Sequence, residues 1–533
     1  MTTLFLTLIA IVIVLCIWLN NLSSRVGIPA LLAFIALGIL FGNNGIFAIR
    51  LENYLFAKET CTVALIFIMF YGGFGTRWDA ARPVVMEAAL LASAGVVVTA
   101  GLTGLFCHFV FGWNWIESLL MGSVVSSTDA ASVFSILRSK RLGLKNNTAS
   151  MLEVESGSND PCSYMLTAIM LSLMKGDATG WSLAWMIFAQ VAFGAGTGFL
   201  LARSASWILE KVRIKEAGYD SLFLLAMALS AYAIPDLLGG NGYLSVYIVG
   251  IILGNTEFRN KKAQIHFFDG ITGLMQVIIF FLLGLLARPA DFGKVILPAL
   301  AIFAFMLLVA RPASVGAVLA PFRKYPLRQM ALVSFVGLRG AASIVFAILA
   351  GVNHGPMLQH DIFNTVFCIV LISISLQGSL IPWAARRLDM IDAGSNVMKT
   401  FSDYSEDSLL QFGSVEIKPG CKWSGKAVRD LGLPANILIA LVLRGEERLI
   451  PRGDFEIRDG DRLVITTKAF EDNRTTLLEK RVKPGSRRIG HTIAEESGDG
   501  LVLLVRRGDE EIFPSGDTVL EEGDGLVLLR QRD

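Results

Sequence analysis

The stretch ESGSNDP, residues 155–161, lies between NTASMLEV and CSYMLTAIMLSLM and puts two carboxylates, an amide and a proline where a lipid-facing helix carries leucine. An ionisable group inside a membrane span costs about 2.5–3.5 kcal/mol on insertion scales, so a cluster of them implies pairing or function. Glu155 and Asn159 stand at i,i+4 and share one helix face, while Ser156 and Asp160 share the neighbouring one. That spacing can point Ser156 and Asp160 at an ion site, with Glu155 and Asn159 bracing it from beside or behind. Three other polar places interrupt apolar sequence: SSTDA at 126–130, Arg311-Pro312, and GLRGAAS at 337–343. Hydroxyls next to an aspartate in SSTDA suggest an unwound segment, whose freed carbonyls and hydroxyls can ligate a monovalent cation while half-helix ends supply compensating dipoles. Oxygen ligands of this kind suit hard cations. Capping of a broken helix competes with ion contact as the role of Asp129 and, less strongly, of Asp160. Arg311 and Arg339 read as a charge-balancing pair, and glycine-flanked Arg339 can neutralise a buried carboxylate, with Glu155 as the candidate. Pro161 is expected to break the helix hydrogen bonds locally.

The elements that must hold these residues are membrane helices. Of 533 residues 53% are hydrophobic and only 17% charged, with a mean hydropathy of +0.58, far from an ordinary soluble composition. The fold class expected is a polytopic α-helical membrane protein embedded in a lipid bilayer. A net charge of +2 and the absence of a long Lys/Arg block argue against nucleic acid as a partner. The N-terminal run has no positive n-region and no small-residue cleavage site, so it reads as a first span and not as a leader. Six cysteines without a CxxC suggest neither a disulfide framework nor a zinc site. A window of about 20 residues predicts thirteen spans, near 3–20, 28–46, 60–76, 84–112, 114–137, 147–174, 181–208, 219–237, 240–256, 267–287, 293–320, 327–351 and 362–384. Alternate connections then carry Arg25; Arg77 and Arg82; Arg138, Lys140, Arg141 and Lys145; Lys211, Arg213 and Lys215; Arg259, Lys261 and Lys262; Arg323, Lys324 and Arg328; Arg386 and Arg387. The opposite face holds only Arg50, Lys58, Lys175, Arg288 and Lys294. By the positive-inside rule the N-terminus is outside and the C-terminus cytoplasmic, in a prokaryotic-style inner membrane. The fifth and twelfth spans are seven apart, as expected if spans 1–6 and 8–13 are inverted repeats.

Beyond residue 390 the chain is polar, and it repeats itself. RGEERLIPRGDFEIRDGDRLVIT at 444–466 is matched by RGDEEIFPSGDTVLEEGDGLVLL at 507–529. Each copy alternates like paired strands and follows a short helical candidate, GKAVRDLG or GHTIAEES. The division expected is a transmembrane domain over 1–390, a linker over 391–408, and two cytoplasmic α+β modules over 409–482 and 483–533. Their P-x-G-D-x5-G-D signature resembles the TrkA-C fold found on potassium channels and transporters. The resemblance implies a dimerising regulatory module that can bind a small ligand, in some relatives a nucleotide. GCKWSGK at 420–426 imitates the start of a phosphate-binding loop but continues with Ala427, which has no hydroxyl for magnesium. GAGTG at 194–198 lies inside a span, where small residues allow close helix packing, and nothing in the chain resembles a TVGYG filter. With pumps and pores set back, secondary transport remains, and no enzymatic role is expected.

The thirteen-span plan, Thr128-Asp129, ESGSNDP and GLRGA together resemble the cation/proton antiporter superfamily, in particular its NhaP-type sodium or potassium/proton branch, over about residues 1–390. The resemblance implies that Asp160 takes proton and cation in turn, assisted by oxygens of Thr128 and Ser156. It implies that Asn159, standing where electrogenic relatives have a second aspartate, makes exchange electroneutral. It further implies that Glu155 pairs with Arg339, that spans 5, 6, 12 and 13 move against a scaffold, and that the protein is a homodimer. Tyr71, in IFIMFYGGFG, stands where some relatives have an acid, which leaves ion selectivity open. Burial disfavours a charged carboxylate, so a proton can compete with the cation at one site, and no cofactor is needed. The tail tilts the choice toward potassium/proton exchange by analogy; sodium/proton exchange, a gated channel and a non-transporting sensor are the alternatives.

Overall fold

The computed structural model describes residues 2–26, 29–42, 45, 53–139, 142–176, 180–211, 218–258, 261–354, 357–392, 410–417, 421, 423–433, 437–445, 447–468, 475–482, 486, 489–493, 495, 501–507, 510–512 and 517–531. The chain divides into two units, Met1–Tyr404 and Ser405–Asp533.

In hydrocarbon the backbone has to satisfy its own hydrogen bonds, and the first unit does so with helices at all thirteen predicted positions. Spans 1 to 4 are Thr2–Val26, Ala30–Phe41, Tyr54–Gly75 and Val85–Phe111, and span 5 is split into Trp115–Val125 and Ala130–Ser139. Spans 6 to 10 are Thr148–Lys175, Gly180–Lys211, Tyr219–Leu237, Gly242–Gly254 and Lys261–Leu286. Span 11 is Pro289–Phe322, span 12 is split into Leu327–Phe335 and Ala341–His354, and span 13 is Ile362–Arg387. Seven of these helices are long and apolar enough by themselves to cross a membrane. Span 6, at 28 residues, misses that standard by polarity and not by length. Span 6 also runs continuously through Pro161: the proline removes one N–H from the helix ladder, and losing it does not stop a helix whose other bonds remain.

Starts of odd-numbered spans lie on one face by chain alternation. Four of them are closed by side chains, with Asn53, Asn114, Asn241 and Asp361 accepting from Phe56 N, Ile116 N, Leu244 N and Asn364 N. Spans 4 and 11, also seven apart, both pass through a π-helical turn, at Leu91–Gly95 and Met306–Ala310. There the Ser314 hydroxyl donates to the Gly95 carbonyl at 2.7 Å, supplying a partner at the irregular turn. The breaks in spans 5 and 12 cross each other, Asp129 N donating to the Leu338 carbonyl at 2.8 Å. Matching irregularities seven spans apart fit the expected repeat.

A short ribbon, β1 (Gly143–Leu144) with β2 (Ile391–Asp392), ties the connection between spans 5 and 6 to the chain leaving span 13. The rest of the expected linker, 393–408, lies outside the described residues.

The second unit holds two four-stranded sheets. β3 (Leu410–Glu416), β4 (Ile437–Arg444), β5 (Glu447–Leu449) and β6 (Arg462–Lys468) pair in the order β3-β6-β4-β5. β7 (Thr475–Arg481), β8 (Leu501–Arg507), β9 (Glu510–Ile512) and β10 (Gly525–Gln531) repeat that order as β7-β10-β8-β9. The predicted module boundary at 482/483 is therefore displaced. β7 pairs along its whole length with β10 and opens the second module, so the division falls between Lys468 and Thr475. The sequence expectation began the first copy ahead of β3 but began the second only after β7, so that strand was given to the wrong module. Of GKAVRDLG only a 3₁₀ turn, Val428–Asp430, is helical.

Candidate functional site

The crossed breaks leave main-chain polar groups deep in the first unit, and side chains close them. Carbonyls of Ser126 and Ser127, at the end of the first half of span 5, both accept from Arg339 Nη1 at 2.8 Å. A cation there opposes the negative end of the half-helix. On the other arm Gln377 Nε2 donates to the Phe335 carbonyl, its Oε1 accepts from the Ser373 hydroxyl, and Arg339 N donates to that hydroxyl oxygen. Asp129 caps the second half of span 5, accepting from the backbone N–H and hydroxyl of Ser132. A Cβ on Gly340 would stand 2.3 Å from Asp129 Oδ2, so the carboxylate needs a glycine beneath it.

Span 6 brings ESGSNDP against this crossing. Glu155 is fully buried and accepts from Arg311 Nη2 at 2.6 Å. The expected Glu155–Arg339 pair is thus replaced by Glu155–Arg311. Arg339 leaves the extended break itself, within reach of open carbonyls, whereas Arg311 projects from a helix facing span 6. Ser156 Oγ donates to the Thr128 carbonyl at 2.6 Å. Asn159 Nδ2 donates to Thr128 Oγ1, and the Ser127 hydroxyl donates to Asp160 Oδ1. Three of the four, Ser156, Asn159 and Asp160, thus meet the break in span 5, while Glu155, one turn before Asn159, meets Arg311 of span 11.

A cavity of about 390 Å³ opens beside these groups, walled by Asp160, Ser156, Thr128 and Asp129 with Ser127 and Gly340. Four of the eight expected site residues therefore converge on one space. Asn159 supports it through Thr128, and Glu155, Arg311 and Arg339 stand behind the wall. The sequence reading missed Ser127, although the doubled serine before Thr128 was a signal. It also missed Glu153 and the span-10 residues Asp269, Thr272 and Gln276, which line the same cavity. The signal for those three was their i, i+3, i+7 spacing in an otherwise apolar helix. Tyr71 lines the cavity and its hydroxyl donates to Asp269 Oδ1 at 3.1 Å, so an acid does stand at this wall, carried by span 10.

A half-buried carboxylate flanked by hydroxyls and a main-chain break, open to a cavity with room for a hydrated ion, can exchange a proton for a hard monovalent cation. Residues 10–387 match the family described as Sodium/hydrogen exchanger, transmembrane. The chain belongs to the sodium/hydrogen exchanger family. It is accordingly a multi-pass membrane protein of cation/proton exchanger architecture. Residues 413–469 and 477–533 match the TrkA-C domain, and the second match begins inside β7, in keeping with the sheet pairing. Among curated relatives, the K(+)/H(+) antiporter NhaP of Alkalimonas amylolytica is 33% identical over 88% of this chain and 82% of its own. The K(+)/H(+) antiporter NhaP2 of Shewanella baltica (strain OS223) is 33% identical over 86% of this chain and 79% of its own. The solved structure of the sodium proton antiporter MjNhaP1 from Methanocaldococcus jannaschii superposes with a TM-score of 0.64 at 21% identity. It covers 73% of this chain and 99% of that one, a likeness of fold.

Proposed function

We propose that this exchanger trades one potassium ion for one proton at Asp160, without net charge movement. The observation that carries it is the convergence of Asp160 with the Ser127, Thr128 and Ser156 oxygens on one cavity at the helix crossing. Charge balance supports electroneutrality. At the helix crossing three carboxylates (Asp129, Glu155, Asp160) stand with two guanidinium groups (Arg311, Arg339), so one proton or one monovalent cation completes neutrality there, with Glu153 and Asp269 counted to the mouth of the cavity. Asn159 in place of a second titrating acid keeps that count at one. Proton and cation exclude each other at the same carboxylate, and coupling follows if only the neutralised site crosses between access states.

Potassium is favoured by the names of the relatives at 33% identity over most of the chain and by the paired TrkA-C domains. The protein works as a homodimer in the inner membrane, N-terminus outside and C-terminus cytoplasmic, an orientation supported by the Arg/Lys distribution. It needs no cofactor, and the tail regulates exchange through a nucleotide or another small ligand.

The test is cation-dependent proton flux in proteoliposomes, read by an entrapped pH dye with potassium, sodium, lithium and rubidium compared. Wild type is expected to exchange potassium regardless of an imposed membrane potential, and Asp160→Asn to lose exchange. Exchange retained in Asp160→Asn would sink the assignment.

A further inference from the structure

Span 10 carries three polar side chains, Asp269, Thr272 and Gln276, whose i, i+3, i+7 spacing lines them up along one helix face, and all three border the cavity that reaches Asp160. Along the stripe Asp269 is exposed, Thr272 only 7% exposed and Gln276 half-buried. Thr272 Oγ1 finds no hydrogen-bond partner among the described residues. A helical threonine can usually satisfy itself on the carbonyl four residues back, as Thr99 and Thr103 do here. Leaving a buried hydroxyl unmade costs about 1–3 kcal/mol, and this unpaired oxygen belongs to a residue that borders the cavity. Asp269 is steadied by the Tyr71 hydroxyl at 3.1 Å, across the mouth, and Glu153 faces the same space from span 6. No lysine or arginine is among the described lining residues. Tyr71, Glu153 and Asp269 all sit toward the ends of spans 3, 6 and 10 that share the Arg/Lys-rich face. That face repels cations, and an acidic mouth lined with neutral oxygens offsets the repulsion locally.

We propose that Asp269, Thr272 and Gln276 form a second cation site, a loading station that takes a hydrated monovalent cation from the Arg/Lys-rich face and passes it to Asp160. The proposal rests on the exchange reading above and extends it to a wall contributed by span 10. Asp269 supplies attraction, Thr272 and Gln276 supply oxygens that replace part of the hydration shell, and Tyr71 positions the carboxylate.

The test uses full-length protein in proteoliposomes, with potassium chloride varied at constant ionic strength against choline chloride. Asp269→Asn keeps the shape and removes one charge from the mouth, and is expected to raise the half-saturating potassium concentration about fivefold. The loss should fall on half-saturation, with the maximal rate moving less than twofold. Thr272→Val is expected to shift it about twofold in the same direction. Combining Asp269→Asn with Tyr71→Glu, which returns a carboxylate to the opposite lip, is expected to recover most of the affinity. An unshifted half-saturation in Asp269→Asn, or a loss confined to the maximal rate, would overturn the proposal. The two readings fail separately. Exchange persisting in Asp160→Asn removes the inner site, whereas exchange lost there with half-saturation unmoved in Asp269→Asn removes only the loading station.

Discussion

Glu155 accepts from Arg311 with both side chains almost wholly out of solvent, 0% and 3% exposed. Breaking a buried ion pair by removing one partner leaves an uncompensated charge and costs about 3–5 kcal/mol. Glu155→Ala should therefore lower the thermal midpoint of the detergent-solubilised protein markedly. Replacing both partners by leucine should recover most of that loss, and a double variant as unstable as the single one would refute the pairing. Glu155 and both arginines could be picked out of the sequence because charge inside an apolar run is costly and so conspicuous. Which arginine meets which acid could not, since Arg311 and Arg339 are equally charged and the choice depends on where the chain is broken. Asp129 was divided between capping and ion contact; the structure shows the cap, on Ser132, and places the residue on the cavity wall.

At the scale of elements, the crossing of spans 5 and 12 depends on close approach. Gly340→Ala would drive a methyl into Asp129 Oδ2 and Cβ, at 2.3 and 2.4 Å. Overpacking of this kind costs about 1–3 kcal/mol, and here the strain falls on the cap beside the ion site. The expected outcome is a fall in exchange of about tenfold or more, converting that cost at the crossing to a rate. Gly351→Ala, further along the same half of span 12, meets open space and should leave stability unchanged or raise it by under about 1 kcal/mol. Equal behaviour of the two variants, in flux and in thermal midpoint, would disprove the close-approach account. The breaks were legible as SSTDA and GLRGA because hydroxyls, acid and glycines disfavour a continuous apolar helix. The π turns of spans 4 and 11 were not, because LASAG and MLLVA contain nothing that separates a wide turn from an ordinary one; packing across Gly95 and Ser314 decides it.

Over the whole molecule, each TrkA-C domain is pinned by one buried aspartate: Asp461 binds Arg444 through both carboxylate oxygens, at 2.7 Å each, and Asp524 binds Arg507 likewise, at 2.9 Å. Arg444 and Arg507 hold these carboxyls below the usual carboxylate range, helped by the Arg458 and Glu521 backbone N–H groups. A folded-state value below the unfolded one, near 3.9, means the stabilisation is present above that pH and is lost as pH falls through the folded-state value. Tail protection in hydrogen exchange should hold from neutral pH to about pH 4 and collapse below it. Arg444→Ala should remove the protection of the first sheet even at neutral pH, while the second sheet, closed by its own pair, retains it; uniform loss in both would show that they do not fold on separate pairs. The repeat itself was readable because the same turns and alternation recur, yet β7 was assigned to the wrong copy, since a strand's partner lies up to fifty-six residues away, as from Thr475 to Gln531. By itself the sequence determined that the chain spans a membrane thirteen times, where it unwinds, and which carboxylate faces those breaks. These follow from local costs: polar groups in hydrocarbon, charges in loops, residues one turn apart on a helix. Only the tertiary structure decided that Glu155 belongs to Arg311, that Ser127 holds Asp160, and that span 10 supplies the far wall of the cavity. Those depend on which helices lie side by side, and nothing in the spacing along one helix says which face of another it will meet.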